Sequence, residues 1–416
     1  MAERTSIRDS LILPTGAARN TTATTESSLL RNPLFDGEKR WPAPDPAVWS
    51  FHRRMPAYLA TTLFDCPGLA RRYGVGRVLV KAETQRLGLP SFKILGASWA
   101  TYRALCDHLG FEPEPWLNIN DLARRISYLK PFGLAAATDG NHGRAVAFMA
   151  RLLGFNCHIF VPAGTVPARI HAIQNEGATV TVVEGDYDAA VARSAEEASD
   201  RCLVISDTSW PGYDVTPRRV VEGYTTIFME IDQALRAAGV GEPDAVIVPV
   251  GVGAFMSATV GYYRSRPWKG ALIGVEPADA NCVQASARAG GMVPVPGPHH
   301  SIMVGLNCGL PSPVAWPKVS TGVDWMVSIG DERARQGMRE LAEAGVVAGE
   351  TGSASLGALA ALYEDASAAE FRASGLLGPD KTILLLVTEG ATDRGNYQTV
   401  VGRPPEEVGT ILSLAH

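Results

Sequence analysis

The stretch GLAAATDGNHGRAVAFMARLLGFNCHIFVP, residues 133–162, decides the fold. It opens with GLAAAT, a short apolar run of the length of a buried strand. The segment NHGRAVAFMARLLG that follows carries apolar residues at helical spacing and closes with Gly154, and NCHIFVP has the composition of a second buried strand. A strand, a helix and a strand in this order predict a βαβ unit with parallel strands, covered by helices.

The same alternation continues outward from this stretch. The next segments predict a helix over 167–177 and a strand over 178–185. Further buried strands are predicted from RVLVKAE (77–83), DAVIVPVGVG (244–253), ALIGVEP (271–277) and KTILLLVTEG (381–390). The predicted fold class is therefore α/β with two lobes, each a mainly parallel twisted sheet flanked by helices.

The domain organisation follows from a break in this alternation. The segment SDTSWPGYDVTPRR, residues 206–219, has no strand or helix period, and we interpret the chain near 207–220 as a crossing between the lobes. Residues 1–30 are rich in Ser and Thr and predict a loosely ordered N-terminal arm. We expect residues 31–96 and 221–416 to form a large domain and residues 97–220 a small one.

Composition excludes several classes of protein. The 416 residues are 46% hydrophobic and 19% charged, and 38 basic against 43 acidic side chains leave a net charge of −5. No basic excess is present to bind nucleic acid or an anionic membrane, and no apolar run approaches the roughly 20 residues that span a bilayer. The start of the chain lacks the apolar run of a signal peptide. We expect a cytoplasmic protein.

The six cysteines show no metal-binding pattern. No CxxC and no paired Cys/His spacing typical of zinc occurs, so no metal site is predicted. Most of these cysteines are expected to be buried small hydrophobes in a reducing compartment. Cys282 and Cys308 bracket a Gly- and Pro-rich stretch, so a regulatory disulfide is an alternative to two free thiols.

The first of three unusual loops carries a lysine among apolar residues. Ligands of open parallel sheets bind outside the carboxyl ends of the strands, and Lys93 follows the strand predicted over 77–83. Its neighbours Phe92 and Ile94 are apolar, which would lower the pKa of the ammonium and favour a nucleophilic amine. The alternative is a lysine at a helix start whose stem packs while its charge reaches water.

The second loop is a glycine-rich turn between a strand and a helix. In ATDGNHG, Gly140 and Gly143 allow a planar ligand to approach the backbone, and Asn141 offers it both a donor and an acceptor. Asp139 is either an acid at the edge of this site or an ordinary helix N-cap.

The third loop, VPVGVGAFMSA, has the pattern of a phosphate site. Gly251 and Gly253 stand between a buried strand and a helix, where backbone N–H groups and the helix dipole bind anions. The third glycine of the dinucleotide fingerprint and its ribose-binding acid are missing. The phosphate is therefore expected to belong to a small cofactor, not to NAD.

Taken together, these loops resemble the fold type II pyridoxal-phosphate enzymes, the tryptophan synthase β-like family that includes serine and threonine dehydratases. The resemblance extends from about residue 75 to about residue 400 and rests on QRLGLPSFKILGA, ATDGNHGRAVAF, SDTSWPGY, GVGAF, IMVGLNCG, GETGSASLG and VTEGATD. Within the family the chain is most similar to the diaminopropionate ammonia-lyases, because Asp139 stands where the dehydratases have Ser or Ala.

The resemblance implies a pyridoxal 5'-phosphate cofactor and a role for each matching residue. Lys93 would be the Schiff-base lysine, Asn141 would hydrogen-bond the phenolic oxygen of the cofactor, and Thr388 would lie near its pyridine nitrogen. The phosphate would be held by the N–H groups of Gly251, Val252, Gly253, Ala254 and Phe255.

The implied reaction is α,β-elimination on D- and L-2,3-diaminopropionate, giving pyruvate and ammonia. Asp139 and Lys93 would remove the α-proton of the D and L substrates respectively, and Asp207 would contact the substrate amino group. The substrate would be a small amino acid, and the resemblance also implies a homodimer.

Four substitutions depart from the family pattern and keep alternatives open, the first being Pro211, which changes WEGY to WPGY. TEGDTD is changed to TEGATD by Ala391, and GLACGEP to GLNCGLP by Asn307 and Leu310. A related β-substituted amino acid could then be the substrate, in an elimination like that of serine or threonine dehydratases or in a β-replacement by a synthase. A binding protein that merely retained the fold is disfavoured, because such a protein has no need of a Schiff-base lysine.

Overall fold

Two β-sheets organise the chain in the computed structural model, which describes residues 27–138, 140–185, 187–409 and 414. The larger sheet contains seven strands: β1 (Ser28–Arg31), β2 (Leu63–Asp65), β3 (Arg77–Ala82), β8 (Ala245–Pro249), β9 (Ala271–Pro277), β10 (Trp325–Ile329) and β11 (Thr382–Val387). The smaller sheet contains four: β4 (Gly133–Ala137), β5 (Asn156–Pro162), β6 (Thr179–Val183) and β7 (Cys202–Val204).

The larger sheet has a parallel centre and antiparallel edges. Its strand order is β1-β10-β9-β8-β11-β3-β2, and only the edge strands β1 and β2 run antiparallel to their neighbours. In the central register Leu384 lies between Leu79 and Val246. These three side chains are fully buried, as expected for a parallel sheet covered on both faces.

The smaller sheet, in the order β6-β5-β4-β7, is parallel throughout. Its centre is the βαβ unit predicted from residues 133–162, with Gly133 paired to Asn156. The helix between the two strands ends at Gly154, whose φ of +69° is a left-handed conformation that glycine adopts without strain.

Helices cover both sheets. In chain order they are α1 (Ala47–His52), α2 (Pro67–Arg72), α3 (Lys93–Leu109), α4 (Ile119–Arg125), α5 (Asn141–Leu153), α6 (Pro167–Gln174), α7 (Tyr187–Ala195), α8 (Val215–Gly223), α9 (Thr225–Ala238), α10 (Ala254–Tyr263), α11 (Cys282–Ala289), α12 (Trp316–Gly322), α13 (Asp331–Glu343), α14 (Ala354–Glu364), α15 (Ala369–Ala373) and α16 (Arg394–Val401). The predicted α/β architecture is confirmed. Among the described residues, no helix has the length and apolar character needed to span a bilayer.

The N-terminal arm differs from its prediction at one end. Residues 28–30, expected to be loosely ordered, belong to β1 (Ser28–Arg31), which pairs with β10, and Ser28 Oγ lies 2.9 Å from Gln284 Oε1. Residues 1–26 lie outside the described residues.

The division of the strands between the two sheets matches the predicted domains. All four strands of the smaller sheet fall within 97–220 and the strands of the larger sheet outside it. The domain boundaries themselves stay a prediction.

A buried group of charges anchors the loop that leads to α3. Glu230 Oε2 accepts a hydrogen bond from Lys81 Nζ at 2.7 Å, and its Oε1 accepts one from Arg86 at 2.7 Å. Arg86 also pairs with Glu83 at 2.6 Å, so the four charges balance. Burial alone would raise the pKa of the Glu230 carboxyl, but Lys81 and Arg86 outweigh burial and lower that pKa to about 2.

We expect Glu230→Ala to lower the free energy of unfolding by about 3–5 kcal/mol, because it leaves the buried cations Lys81 and Arg86 to share the single carboxylate of Glu83. Urea unfolding followed by circular dichroism measures the change. Glu332→Ala is the matched control: Glu332 is 72% exposed and pairs with Arg339 at the surface, so its loss should change stability by about 1 kcal/mol or less. Equal effects of the two variants would contradict the prediction.

Glu276 is a second buried carboxyl, at the end of β9. It accepts hydrogen bonds from the backbone N–H groups of Val283 and Gln284, both at 2.8 Å. Burial, only partly offset by these hydrogen bonds, raises its pKa to about 8. The folded protein therefore retains a proton that the unfolded chain releases near a pKa of about 4.3.

Stability should consequently fall as the pH rises from about 5 to about 8, at a rate for this one group of up to about 1.4 kcal/mol per pH unit. Glu276→Gln is neutral at every pH and should remove this part of the slope. Urea unfolding of both proteins across this pH range measures it. An unchanged slope in Glu276→Gln would show that another group is responsible.

Candidate active site

The three loops singled out in the sequence meet at one cavity of about 720 Å³. It lies where the carboxyl ends of strands from both sheets face each other, the usual ligand position in open parallel sheets. Its walls include most of the predicted site residues: Lys93, Asn141, Asp207, Gly251, Val252, Gly253, Ala254, Phe255 and Thr388. Asp139 lies outside the described residues.

Lys93 starts α3 and faces a carboxylate across the cavity. Its Nζ donates a hydrogen bond to Asp207 Oδ2 at 2.8 Å, and His142 Nδ1 lies 3.7 Å from the same oxygen. Burial would raise the pKa of the Asp207 carboxyl, but His142 and Lys93 hold that pKa well below its usual range. The sequence neighbours of Lys93 are apolar, but folding also brings a carboxylate from 114 residues away beside its amine.

The glycine loop after β8 forms an anion cradle. Gly253 has a φ of +93° and caps α10, whose first N–H groups have no acceptor within the helix. A Cβ on Gly251 would lie 3.1 Å from Cys308 Sγ and 3.2 Å from the Gly305 carbonyl oxygen. Glycine at residue 251 therefore allows the loop to pack closely against these two atoms, and the loop presents the backbone N–H groups and the helix dipole that bind a phosphate.

Thr388 supplies a buried hydroxyl to the cavity wall. It follows β11, is 4% exposed and lines the cavity. Within the described residues, Thr388 Oγ1 has no hydrogen-bond partner. A buried hydroxyl in this state is expected to bond a ligand atom, and a ring nitrogen is an acceptor of suitable chemistry.

The sequence analysis missed Glu389. This residue is 5% exposed, lines the cavity, and accepts a hydrogen bond from Asn141 Nδ2 at 2.7 Å on its Oε2 atom. Burial raises the pKa of the Glu389 carboxyl, and the nearby charge of Arg169 opposes that rise. The only sequence signal for Glu389 is its place next to Thr388 in the motif VTEGATD.

Other cavity residues were also missed or left undecided. Arg169, His299 and His300 line it. Arg169 belongs to α6, within the helix predicted over 167–177, whereas His299 and His300 lie in a connecting segment. Of the four substitutions, only Asn307 is among the residues that line this cavity. Leu310 is 48% exposed, and Ala391 and Pro211 are not among the lining residues.

The cysteines near the cavity are thiols. All six cysteines of the chain carry thiols in the structure, and no disulfide joins Cys282 to Cys308. Cys282 Sγ lies 3.9 Å from the Gly251 carbonyl oxygen, and Cys308 is among the residues that line the cavity. Cys282 and Cys308 are therefore two separate thiols, as expected in preference to a disulfide.

Comparison with known proteins identifies the family. Residues 55–389 match the model of a protein family whose description is "Pyridoxal-phosphate dependent enzyme". The chain belongs to this family. Its cofactor is pyridoxal 5'-phosphate, and the amine of Lys93, the cradle at 251–255 and the unpartnered Thr388 hydroxyl fit that molecule.

Two curated relatives support the narrower resemblance. Diaminopropionate ammonia-lyase of Escherichia coli K12 is 35% identical over 359 residues, which cover 84% of this chain and 89% of that protein. The enzyme of the same name from Salmonella typhimurium LT2 is 31% identical over 369 residues, 85% of this chain and 91% of that one. The similarity predicted from the motifs is confirmed.

Solved structures agree. Escherichia coli diaminopropionate ammonia-lyase in complex with D-serine has a TM-score of 0.83 and 32% identity, covering 92% of this chain and 98% of that one. The same enzyme with an aminoacrylate-PLP azomethine reaction intermediate has a TM-score of 0.81 and 31% identity, with the same coverage. The two-lobed fold type II prediction is confirmed by these family members.

We expect Gly251→Ala to weaken pyridoxal phosphate binding by about tenfold or more, because the added methyl group must displace the cradle. Titration of the apoprotein with the cofactor, followed by absorbance, gives the dissociation constant. Gly241→Ala is the control, since a Cβ there has nothing within 4 Å. Equal affinities of the two variants would contradict the cradle.

Proposed function

We propose that this protein is a pyridoxal-phosphate dependent ammonia-lyase that converts D- and L-2,3-diaminopropionate to pyruvate and ammonia. The observation that carries the proposal is the pair of Lys93 and Asp207, 2.8 Å apart, in the cavity that also contains the phosphate cradle and Thr388. The relatives named diaminopropionate ammonia-lyase, which cover most of the chain, support the choice of substrate.

The cofactor would be held at four points. Lys93 would bind it covalently, and the N–H groups of residues 251–255 would hold its phosphate. Asn141 would bond its phenolic oxygen, and Thr388 would face its pyridine nitrogen. These assignments follow from the family motifs and agree with the position of each of these residues on the cavity wall.

The protein residues would control where protons go. Bound pyridoxal phosphate withdraws electrons from the α-carbon of the amino acid, which acidifies its proton and allows the β-amine to leave. Lys93 Nζ would accept the α-proton of the L substrate, and Asp139 would accept that of the D substrate. Asp207, held ionised beside Lys93, would attract the positively charged substrate amino group.

A second candidate changes the β-substituent and is favoured by Asn307. Asn307 Nδ2 donates to the Ser301 carbonyl oxygen at 2.9 Å, while its Oδ1 is buried without a hydrogen-bond partner in the described part of the chain. An unsatisfied acceptor on the cavity wall suits a substrate with a hydroxyl donor as its β-substituent. Such a substrate would undergo β-elimination or β-replacement, and product analysis with serine and with an added thiol tests this alternative.

We also propose a cytoplasmic homodimer with domains at 31–96 plus 221–416 and at 97–220. The thiol form of the cysteines supports a reducing compartment, and the origin of each sheet from one side of these boundaries supports the division. Light scattering of the purified protein gives the oligomeric state.

We expect the wild-type protein to form pyruvate from both enantiomers of 2,3-diaminopropionate. Asp139→Asn should lower kcat for the D enantiomer at least about 100-fold and that for the L enantiomer far less, because only one proton acceptor is lost. Lys93→Ala should lose both activities and the visible absorption band of the covalently bound cofactor. A coupled pyruvate assay measures the rates.

The controls separate the two levels of this proposal. Arg288→Ala changes an exposed side chain on α11 and should leave both rates unchanged. Pyruvate from neither enantiomer, with the cofactor bound, would contradict the diaminopropionate assignment while leaving the cofactor assignment intact.

A further inference from the structure

Glu389 connects the two sheets at the cofactor cavity. It follows β11 of the larger sheet, whereas its partner Asn141 begins α5, which packs on the smaller sheet. The bond between them, 2.7 Å from Asn141 Nδ2 to Glu389 Oε2, therefore crosses from one lobe to the other. Both residues line the cavity, so the bond lies beside the space that the cofactor would occupy.

The backbone of Glu389 is firmly placed. Glu389 pairs with Ser91 in an isolated β-bridge, and its carbonyl oxygen accepts a hydrogen bond from Gly349 N–H at 3.1 Å. A Cβ on Gly352 would come within 2.4 Å of that oxygen, which shows how closely the neighbouring chain approaches. The carboxyl group is thus presented to Asn141 from a rigid support.

An ionised carboxylate can only accept a hydrogen bond from the N–H end of a side-chain amide. Ionised Glu accepts hydrogen bonds and donates none, whereas an Asn side chain has a donor end and an acceptor end. The Glu389 carboxylate therefore selects the orientation in which Asn141 Nδ2 points towards it. In this orientation one N–H of the amide is used, and the second N–H remains for another acceptor.

Arg169 contributes charge at the same place. A Cβ on Gly140 would lie 3.3 Å from Arg169 Cδ, so the arginine stem passes over the turn that begins α5. Its positive charge acts on Glu389 and opposes the rise in the pKa of that carboxyl caused by burial. The arginine favours the ionised form, which is the form that selects the amide orientation.

We propose that Glu389 is a positioning residue, which holds the Asn141 amide so that its remaining N–H meets the phenolic oxygen of the cofactor. The inference rests on the proposed role of Asn141 in binding pyridoxal phosphate. Glu389 itself acts through Asn141 and has no role in the chemical steps.

The test is a double-mutant cycle with Glu389→Gln and Asn141→Ala. Glutamine keeps the shape of the side chain, but its oxygen can accept from the Asn141 N–H and its own N–H can donate to Asn141 Oδ1, so orientation is no longer selected. We expect Glu389→Gln to weaken cofactor binding by about three- to tenfold, the usual effect of one hydrogen bond. In the Asn141→Ala background the same change should have no further effect on the dissociation constant. Glu389→Ala provides a second route if the glutamine variant binds normally through a retained hydrogen bond.

Two readouts other than turnover are used. The first is the dissociation constant of pyridoxal phosphate from the refilled apoprotein, and the second is the absorption maximum of the bound cofactor, which responds to hydrogen bonding at the phenolic oxygen. Glu389→Gln or Glu389→Ala should shift the maximum in the same direction as Asn141→Ala. Thermal unfolding of each apoprotein confirms that the variants are folded.

Ser209→Ala is the matched control. Ser209 Oγ lies 3.0 Å from Ser312 Oγ, a second contact between the lobes that does not involve Asn141. This variant should bind the cofactor with unchanged affinity. An equal loss in Ser209→Ala would show that general loosening of the lobes is responsible and would overturn the proposal.

Two further outcomes would contradict the positioning role of Glu389 or the proposed function. Additive losses from the Glu389 and Asn141 changes, or wild-type affinity and spectrum in both Glu389 variants, would overturn the positioning role while the wild-type enzyme still binds its cofactor. Failure of the wild-type protein itself to bind pyridoxal phosphate would instead contradict the proposed function.

Discussion

The end of β11 is bonded directly to the loop that carries Lys93, and the cavity depends on this contact. Gly390 N–H donates to the Pro90 carbonyl oxygen at 2.9 Å, and Phe92 N–H donates to that of Thr388 at 3.4 Å. These backbone bonds place Lys93 beside Thr388, although the two residues are almost 300 positions apart in the chain. A contact made by backbone alone leaves their side chains available to a ligand.

Charge is balanced at two depths around this contact. Below the lysine loop, Arg86 and Lys81 are neutralised by Glu83 and Glu230 in a fully buried group. At the cavity, Asp207 faces Lys93. The first group stabilises the loop, because removal of any one partner leaves a buried charge unpaired. The second pair is 27% and 13% exposed at its side chains, so a substrate can reach it.

Local pattern was enough to predict much of the site. A buried strand followed by glycines and a helix start has one common geometry, so the roles expected of Gly251 and Gly253 followed from residues within one loop. The same holds for the helix that begins at Lys93. Glu389 and Arg169 could not be predicted in this way, because each becomes meaningful only beside Asn141, and no spacing in the chain encodes that proximity. The carboxylate beside Lys93 could not be predicted for the same reason, because Asp207 comes from the other lobe.

By itself, the sequence determined the α/β alternation, the parallel sheets and the pyridoxal-phosphate family, since these depend on periodicity and on short motifs whose residues are neighbours in the chain. Tertiary structure alone decided that residues 28–31 close the edge of the larger sheet and that Asn307, not Leu310, lines the cavity. It also decided that Glu389 holds Asn141 across the lobes. The physical reason is that hydrogen bonds and ion pairs depend on distances of about 3 Å between atoms, which only the packing of the two lobes sets.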